Sequence, residues 1–131
     1  MPAHLEFERR RISDESSTWA AASTADVRDN LASTGYPAIG LRFVEGPVER
    51  TIPATVPGRL AVLRLDTDWY ASTRHELEPL YPRLVPGGVL IIDDYGHWRG
   101  AATATDEYLA GLHPQPYLHR VDYSARLLVR P

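Results

Sequence analysis

The sequence predicts an α/β fold with its chemistry gathered at one sheet edge, and three observations carry that expectation. Two apolar, strand-like runs, Leu60–Leu65 and Val89–Ile92, enclose a helix-like stretch and the turn Pro86-Gly87-Gly88, which makes one strand–helix–strand unit. Each run ends in a pair of carboxylates, Asp66 and Asp68 after the first, Asp93 and Asp94 after the second. In a parallel sheet such a unit brings both strand ends to the same edge, where open α/β sheets bind ligands.

The elements follow in chain order. Residues 1 to 17 show no clean period and carry Pro2, mixed charges and Ser16-Ser17, so an extended or partly ordered polar arm is expected there, with the domain over 18–131. Residues 18 to 34 fit a helix capped by Ser23 or Thr24, with Asp26 in its first turn, Val27 and Leu31 on one face, and Gly35 as its stop. Ile39 to Val44 is a short strand candidate. Glu49 to Arg59 holds Pro53, Pro57 and Gly58 and reads as loop or broken helix. After the first strand, Ser72 or Thr73 can cap a helix reaching Leu84, with Leu77, Leu80, Tyr81 and Leu84 on its apolar face. Pro79 falls inside it and should kink or split it. A further helix is expected over Ala101–Leu112, and Tyr117–Val121 with Arg126–Val129 as a closing strand pair.

Composition removes several classes of function. The 131 residues suffice for one domain with a modest core. A formal charge of −3 without a basic stripe gives no electrostatic case for nucleic acid. Arg9-Arg10-Arg11 is flanked by Glu6, Glu8, Asp14 and Glu15 and reads as a solvated segment. The absence of cysteine excludes disulfides and thiolate chemistry. No apolar run approaches the roughly 18 residues that span a bilayer, and Met1 to Asp14 is unlike a secretory signal, so the expected compartment is the cytoplasm.

Four formal negative charges converging in a partly dry cleft repel one another, and a hard divalent cation such as Mg²⁺ removes that repulsion. Asp66 and Asp68, two apart, face one side of an extended chain. Asp93 and Asp94 diverge within a strand but can both turn toward one site where strand gives way to loop. Three carboxylates plus water or substrate oxygens make an octahedral shell, leaving a fourth as general base. The plain alternative is that all four are solvated strand-end or capping residues.

The blocks Leu65-Asp66-Thr67-Asp68-Trp69-Tyr70-Ala71-Ser72-Thr73, Leu80-Tyr81-Pro82-Arg83-Leu84-Val85-Pro86-Gly87-Gly88 and Ile91-Ile92-Asp93-Asp94-Tyr95-Gly96 resemble the macrocin O-methyltransferase family. The resemblance implies a Rossmann-like class I methyltransferase sheet and a reaction dependent on S-adenosylmethionine and Mg²⁺. The implied reaction carries the methyl group to a hydroxyl of a sugar or polyketide-type natural product. It implies Asp66, Asp93 and Asp94 as metal ligands and Asp68 as the base. It makes Trp69, Tyr70, Tyr95 and Trp98 candidate walls of the site. In the family's strand order, 3-2-1-4-5-7-6, Ile39–Val44 becomes strand 3 and Leu60–Leu65 strand 4. The first two strands and the Gly-rich cofactor loop are missing, since Gly35 and Gly40 are the only glycines in residues 1 to 40, so residues 18–131 read as a partial methyltransferase domain. The remaining cofactor contacts are Gly46, Val48 and Glu49. Two rival readings stay open: a non-catalytic half-domain that pairs its exposed strand with a partner or a second copy, and a metal-dependent hydrolase using the same carboxylates.

Overall fold

A computed structural model describes residues 3–13, 16–17 and 22–131. In chain order these form α1 (Ala3–Arg9), β1 (Arg11–Ser13), β2 (Ser16–Ser17), α2 (Thr24–Ala32), α3 (Val48–Thr51), β3 (Leu60–Leu65), α4 (Tyr70–Leu80), β4 (Leu84–Ile92), α5 (Arg99–Ala110), β5 (His119–Arg120) and β6 (Arg126–Val129). The main sheet has the order β3-β4-β6-β5. β3 and β4 are parallel, and β6 is antiparallel to both of its neighbours. That is the right-hand half, 4-5-7-6, of the expected class I methyltransferase sheet.

The β3–α4–β4 unit is held by the apolar residues on one face of its strands. Leu63, Leu65, Leu90, Ile92 and Leu128 point to the covered face and meet Leu77 and Leu80 of α4 and Leu109 of α5 in a single buried cluster. The opposite face is open: Val62 is 57% exposed and Val129 49%, and register aligns Val62 with Val89 and Val89 with Val129. β3 has no neighbour on its outer side among the described residues. No helix of the described residues is long and apolar enough to cross a membrane.

Several expectations need correction. Ile39–Val44 is not a strand: Ala38–Gly40 is a 3-10 turn, the chain to Val44 is irregular, and Ile39 is 98% exposed. Extended chain gains little without a paired neighbour, and none of the described strands lies beside it. Of the extended or partly ordered arm expected over residues 1–17, the described residues are ordered: Ala3–Arg9 is helical and Arg11–Ser13 pairs with Ser16–Ser17. Ala3 packs with Trp98 and Ala101, a long-range contact invisible to local pattern.

The expected helix over 18–34 is observed as Thr24–Ala32, residues 18–21 lying outside those described. Ser23 is its cap, in a reciprocal capping box with Asp26. α4 begins at Tyr70, two residues before the expected cap, because Thr73 uses its hydroxyl on the Thr67 carbonyl instead. Pro79 lies inside α4 without ending it; α4 stops at Leu80 and a 3-10 turn, Tyr81–Arg83, follows, where Pro82 has no N–H to continue the helix.

Candidate metal and proton-transfer site

The parallel ladder sets the site. Leu65 pairs with Ile92, and the Asp93 N–H continues the ladder by donating to the Leu65 carbonyl at 3.0 Å. Asp66 and Asp93 therefore emerge side by side. The chain then turns at once: the Asp94 carbonyl accepts from the His97 N–H at 3.1 Å and the Trp98 N–H at 2.9 Å, which opens α5. This turn lets the adjacent Asp93 and Asp94 serve one site. One carboxylate oxygen each from Asp66, Asp93 and Asp94 lies within 4.8 Å of the others. Oxygens about 2.1 Å from an octahedral Mg²⁺ stand about 3 to 4.2 Å apart, so the three carboxylates fit that ion with small movements.

Asp68 lies beside this trio in a different environment. Burial is the main cause that pushes its carboxyl up to about 7, followed by a hydrogen bond to Asp94 and repulsion from Asp94, Asp66 and Asp93. A group poised there can take a proton near neutral pH.

The segment holding Asp66 and Asp68 is anchored from beneath by α4. The Thr67 hydroxyl donates to Glu76 at 2.5 Å, and the Thr73 hydroxyl donates to the Thr67 carbonyl at 2.8 Å. Burial raises the Glu76 carboxyl, opposed by the Thr67 hydrogen bond. At Gly100, in the first turn of α5, an added Cβ would come within 2.6 Å of the Tyr70 nitrogen and 3.1 Å of the Asp68 carbonyl oxygen. Glycine thus lets the helix start press directly on the backbone that carries Asp68.

Arg64 carries much of the local charge balance. Its guanidinium reaches Asp66 and Asp93, each at 3.0 Å, bridging two of the clustered carboxylates. Nothing in the sequence singles out Arg64, Thr67, Glu76 or Gly100 for this site, and Thr73 reads there only as a helix cap. Strand alternation does place Arg64, two residues before Asp66, on the same side.

The residues expected at the cofactor fall in and before α3. Gly46 precedes the helix and Val48 opens it. Glu49 accepts from the Ser72 hydroxyl at 2.6 Å, which holds its carboxyl below the usual range and docks this turn on the start of α4. Of the candidate walls, Trp98 is buried with Ala3 and Ala101. Tyr70 donates to Glu107 at 2.6 Å and Tyr95 to Asp106 at 2.7 Å. His97 is exposed, and His75 bonds the Ile52 carbonyl at 2.7 Å.

Residues 2–128 match the macrocin O-methyltransferase (TylF) family model. Over 75 residues the chain is 48% identical to an 8-demethyl-8-(2,3-dimethoxy-alpha-L-rhamnosyl)-tetracenomycin-C 4'-O-methyltransferase of Streptomyces olivaceus, covering 57% of this chain and 29% of that protein. It is 45% identical over 73 residues to a mycinamicin III 3''-O-methyltransferase of Micromonospora griseorubida, covering 56% and 29%. The solved O-methyltransferase NovP superposes with a TM-score of 0.84 at 31% identity, covering 97% of this chain and 50% of NovP. CalS11, a calicheamicin methyltransferase, shares the fold at a TM-score of 0.65 and 20% identity, covering 93% and 54%. The chain thus spans about half of these solved structures and under a third of these two curated relatives. On the family match, the superposition and the strand order together, the chain belongs to the macrocin O-methyltransferase family, corresponding to its C-terminal part.

Proposed function

We propose that this chain carries the metal-binding and proton-accepting part of a cytoplasmic O-methyltransferase dependent on S-adenosylmethionine and Mg²⁺. Its acceptor is a hydroxyl of a sugar or polyketide-type natural product. The observation that carries the reading is the convergence of Asp66, Asp93 and Asp94 within 4.8 Å, with Asp68 beside them and pushed up to about 7. The curated relatives are methyltransferases of such metabolites by name.

In this reading Asp66, Asp93 and Asp94 hold the ion. Bound Mg²⁺ supplies Lewis-acid polarisation of the acceptor hydroxyl and alignment for in-line attack. Asp68 accepts the hydroxyl proton on a carboxylate oxygen as the acceptor oxygen bonds to the methyl carbon. S-adenosylmethionine, when bound, would supply the methyl group, its sulfur keeping the electron pair of the broken carbon–sulfur bond. Gly46, Val48 and Glu49 form the cofactor contacts in this part of the fold, and Glu76 with Thr67 keeps the Asp66–Asp68 segment in place. Titration calorimetry of the chain with S-adenosylmethionine and Mg²⁺ tests the reading. Saturable heat for Mg²⁺ is expected, and none at millimolar concentrations sinks it.

The open outer edge of β3 and the uncovered Val62–Val89–Val129 row favour a second reading, in which the chain pairs this edge with another copy or a partner. Sedimentation equilibrium separates the two: a lone monomer that binds Mg²⁺ contradicts the second.

A further inference from the structure

The loop that bears Asp93 and Asp94 is held from outside the strand–helix–strand unit by the tip of the β5–β6 hairpin. The contacts fall on three successive residues. The Arg126 guanidinium lies 4.9 Å from the Tyr95 ring centroid. The Gly96 N–H donates to the Ser124 carbonyl at 2.8 Å. His97 Nδ1 lies 3.2 Å from the Tyr123 hydroxyl, with the two rings edge to face at 5.9 Å.

The closest approach is at Gly96. A Cβ added there would overlap the Tyr123 carbonyl oxygen and stand 3.1 Å from the Ser124 Cα. Backbone lies against backbone, so any side chain must push the loop and the tip apart. The tip itself is braced: the Asp122 carboxylate accepts from the Ser124 and Ala125 N–H groups, both at 2.7 Å. The Val121 N–H donates to the Ala125 carbonyl at 3.1 Å, and Arg126 Nη1 donates to the same carbonyl at 3.0 Å.

Displacement of Gly96 is transmitted directly. Asp94 is tied through its carbonyl to the His97 and Trp98 N–H groups, so a shift at 96 or 97 rotates the turn on which both carboxylates sit. We propose that the β5–β6 tip is a positioning clamp for the metal site. Gly96 permits the close contact, and Asp122 keeps the tip in the shape that makes it. Neither residue touches the ion. The inference rests on the reading of Asp93 and Asp94 as ligands.

Outer-shell groups that orient ligands typically change metal affinity by about 10- to 100-fold when altered. Mn²⁺, a paramagnetic substitute for Mg²⁺, is titrated into the chain and free Mn²⁺ followed by electron paramagnetic resonance. Gly96→Ala should weaken binding by about 10- to 100-fold and Asp122→Ala by about tenfold, with far-UV circular dichroism unchanged. Should Gly96→Ala fail to fold, Asp122→Ala, at an exposed site, carries the test. The core variant Leu80→Val, which lowers the melting temperature without touching loop or tip, should keep the wild-type affinity. Wild-type affinity in the folded clamp variants overturns the clamp and leaves the ligand assignment standing. Equal weakening in Leu80→Val overturns it too, since the effect is then one of stability alone. Absence of Mn²⁺ binding in the wild type overturns the ligand reading and the clamp with it.

Discussion

Residues 60–131 and residues 22–59 fold under different rules. The first stretch holds the buried cluster from Leu63 to Leu128 and all four carboxylates of the site. In the second, α2 has a capping box but no buried residue, and Val27 is 39% exposed. Contact between the two includes Ile52 and Val56 packed against the core, the Ile52 carbonyl on His75, and Glu49 on Ser72. Helix α2 is thus satisfied locally by its cap, whereas the strand–helix–strand unit is fixed by burial. Burial thus fixes the strand ends from which the half-exposed carboxylates project.

Substitutions on the two sides should break this contrast or sharpen it. The largest expected effect is Leu90→Ala, at a fully buried position in β4. It should cost about 2 to 5 kcal/mol in urea unfolding, by lost transfer energy plus the cavity left behind.

Next is Arg64→Gln. An exposed ion pair orders its carboxylates by at most about 1 kcal/mol. A single charge about 5 Å from a divalent cation repels it by roughly 1.7 kcal/mol even at water's dielectric constant. Repulsion wins, so Mn²⁺ binding should tighten by about three- to tenfold. Weaker binding would make Arg64 a necessary support of the carboxylates.

The third effect is on pH. Asp68 is pushed from 3.8 up to about 7, so between those values the folded chain keeps a proton that the unfolded chain has lost. Its contribution is fully present below the unfolded value and is lost as pH rises through about 7. Glu76 acts in the same sense. Urea midpoints of the metal-free chain should therefore fall from pH about 4.5 to about 8, and saturating Mg²⁺ should flatten the fall. A midpoint that rises over that range contradicts the assigned environment of Asp68. The smallest effect is Val27→Ala in α2, expected within about 0.5 kcal/mol by the same measurement.

The same division marks what could be read from the residues alone. Val89–Ile92 was legible because a β-branched apolar run after a glycine turn has few alternatives. The carboxylates were legible because strand alternation and the shared edge of a parallel pair are set by local geometry. A cap at Ser23 or Thr24 was legible, and it is Ser23, whose box with Asp26 spans only three residues. The Thr67–Glu76 bond was not, since it depends on how α4 lies under the strand end. Nor was the meeting of Gly96 with Tyr123 and Ser124, which needs the hairpin folded back beside the loop. Ile39–Val44 misled because strand composition says nothing about whether a neighbouring strand is present.

The most direct measurement is Mn²⁺ affinity in Asp93→Asn and Asp68→Asn beside the unaltered chain. The expected result is at least a tenfold loss for Asp93→Asn and a smaller loss for Asp68→Asn, whose carboxyl, proposed as the base, contributes charge near the ion without ligating it. Unchanged affinity in Asp93→Asn together with weakened affinity in Asp68→Asn would contradict it.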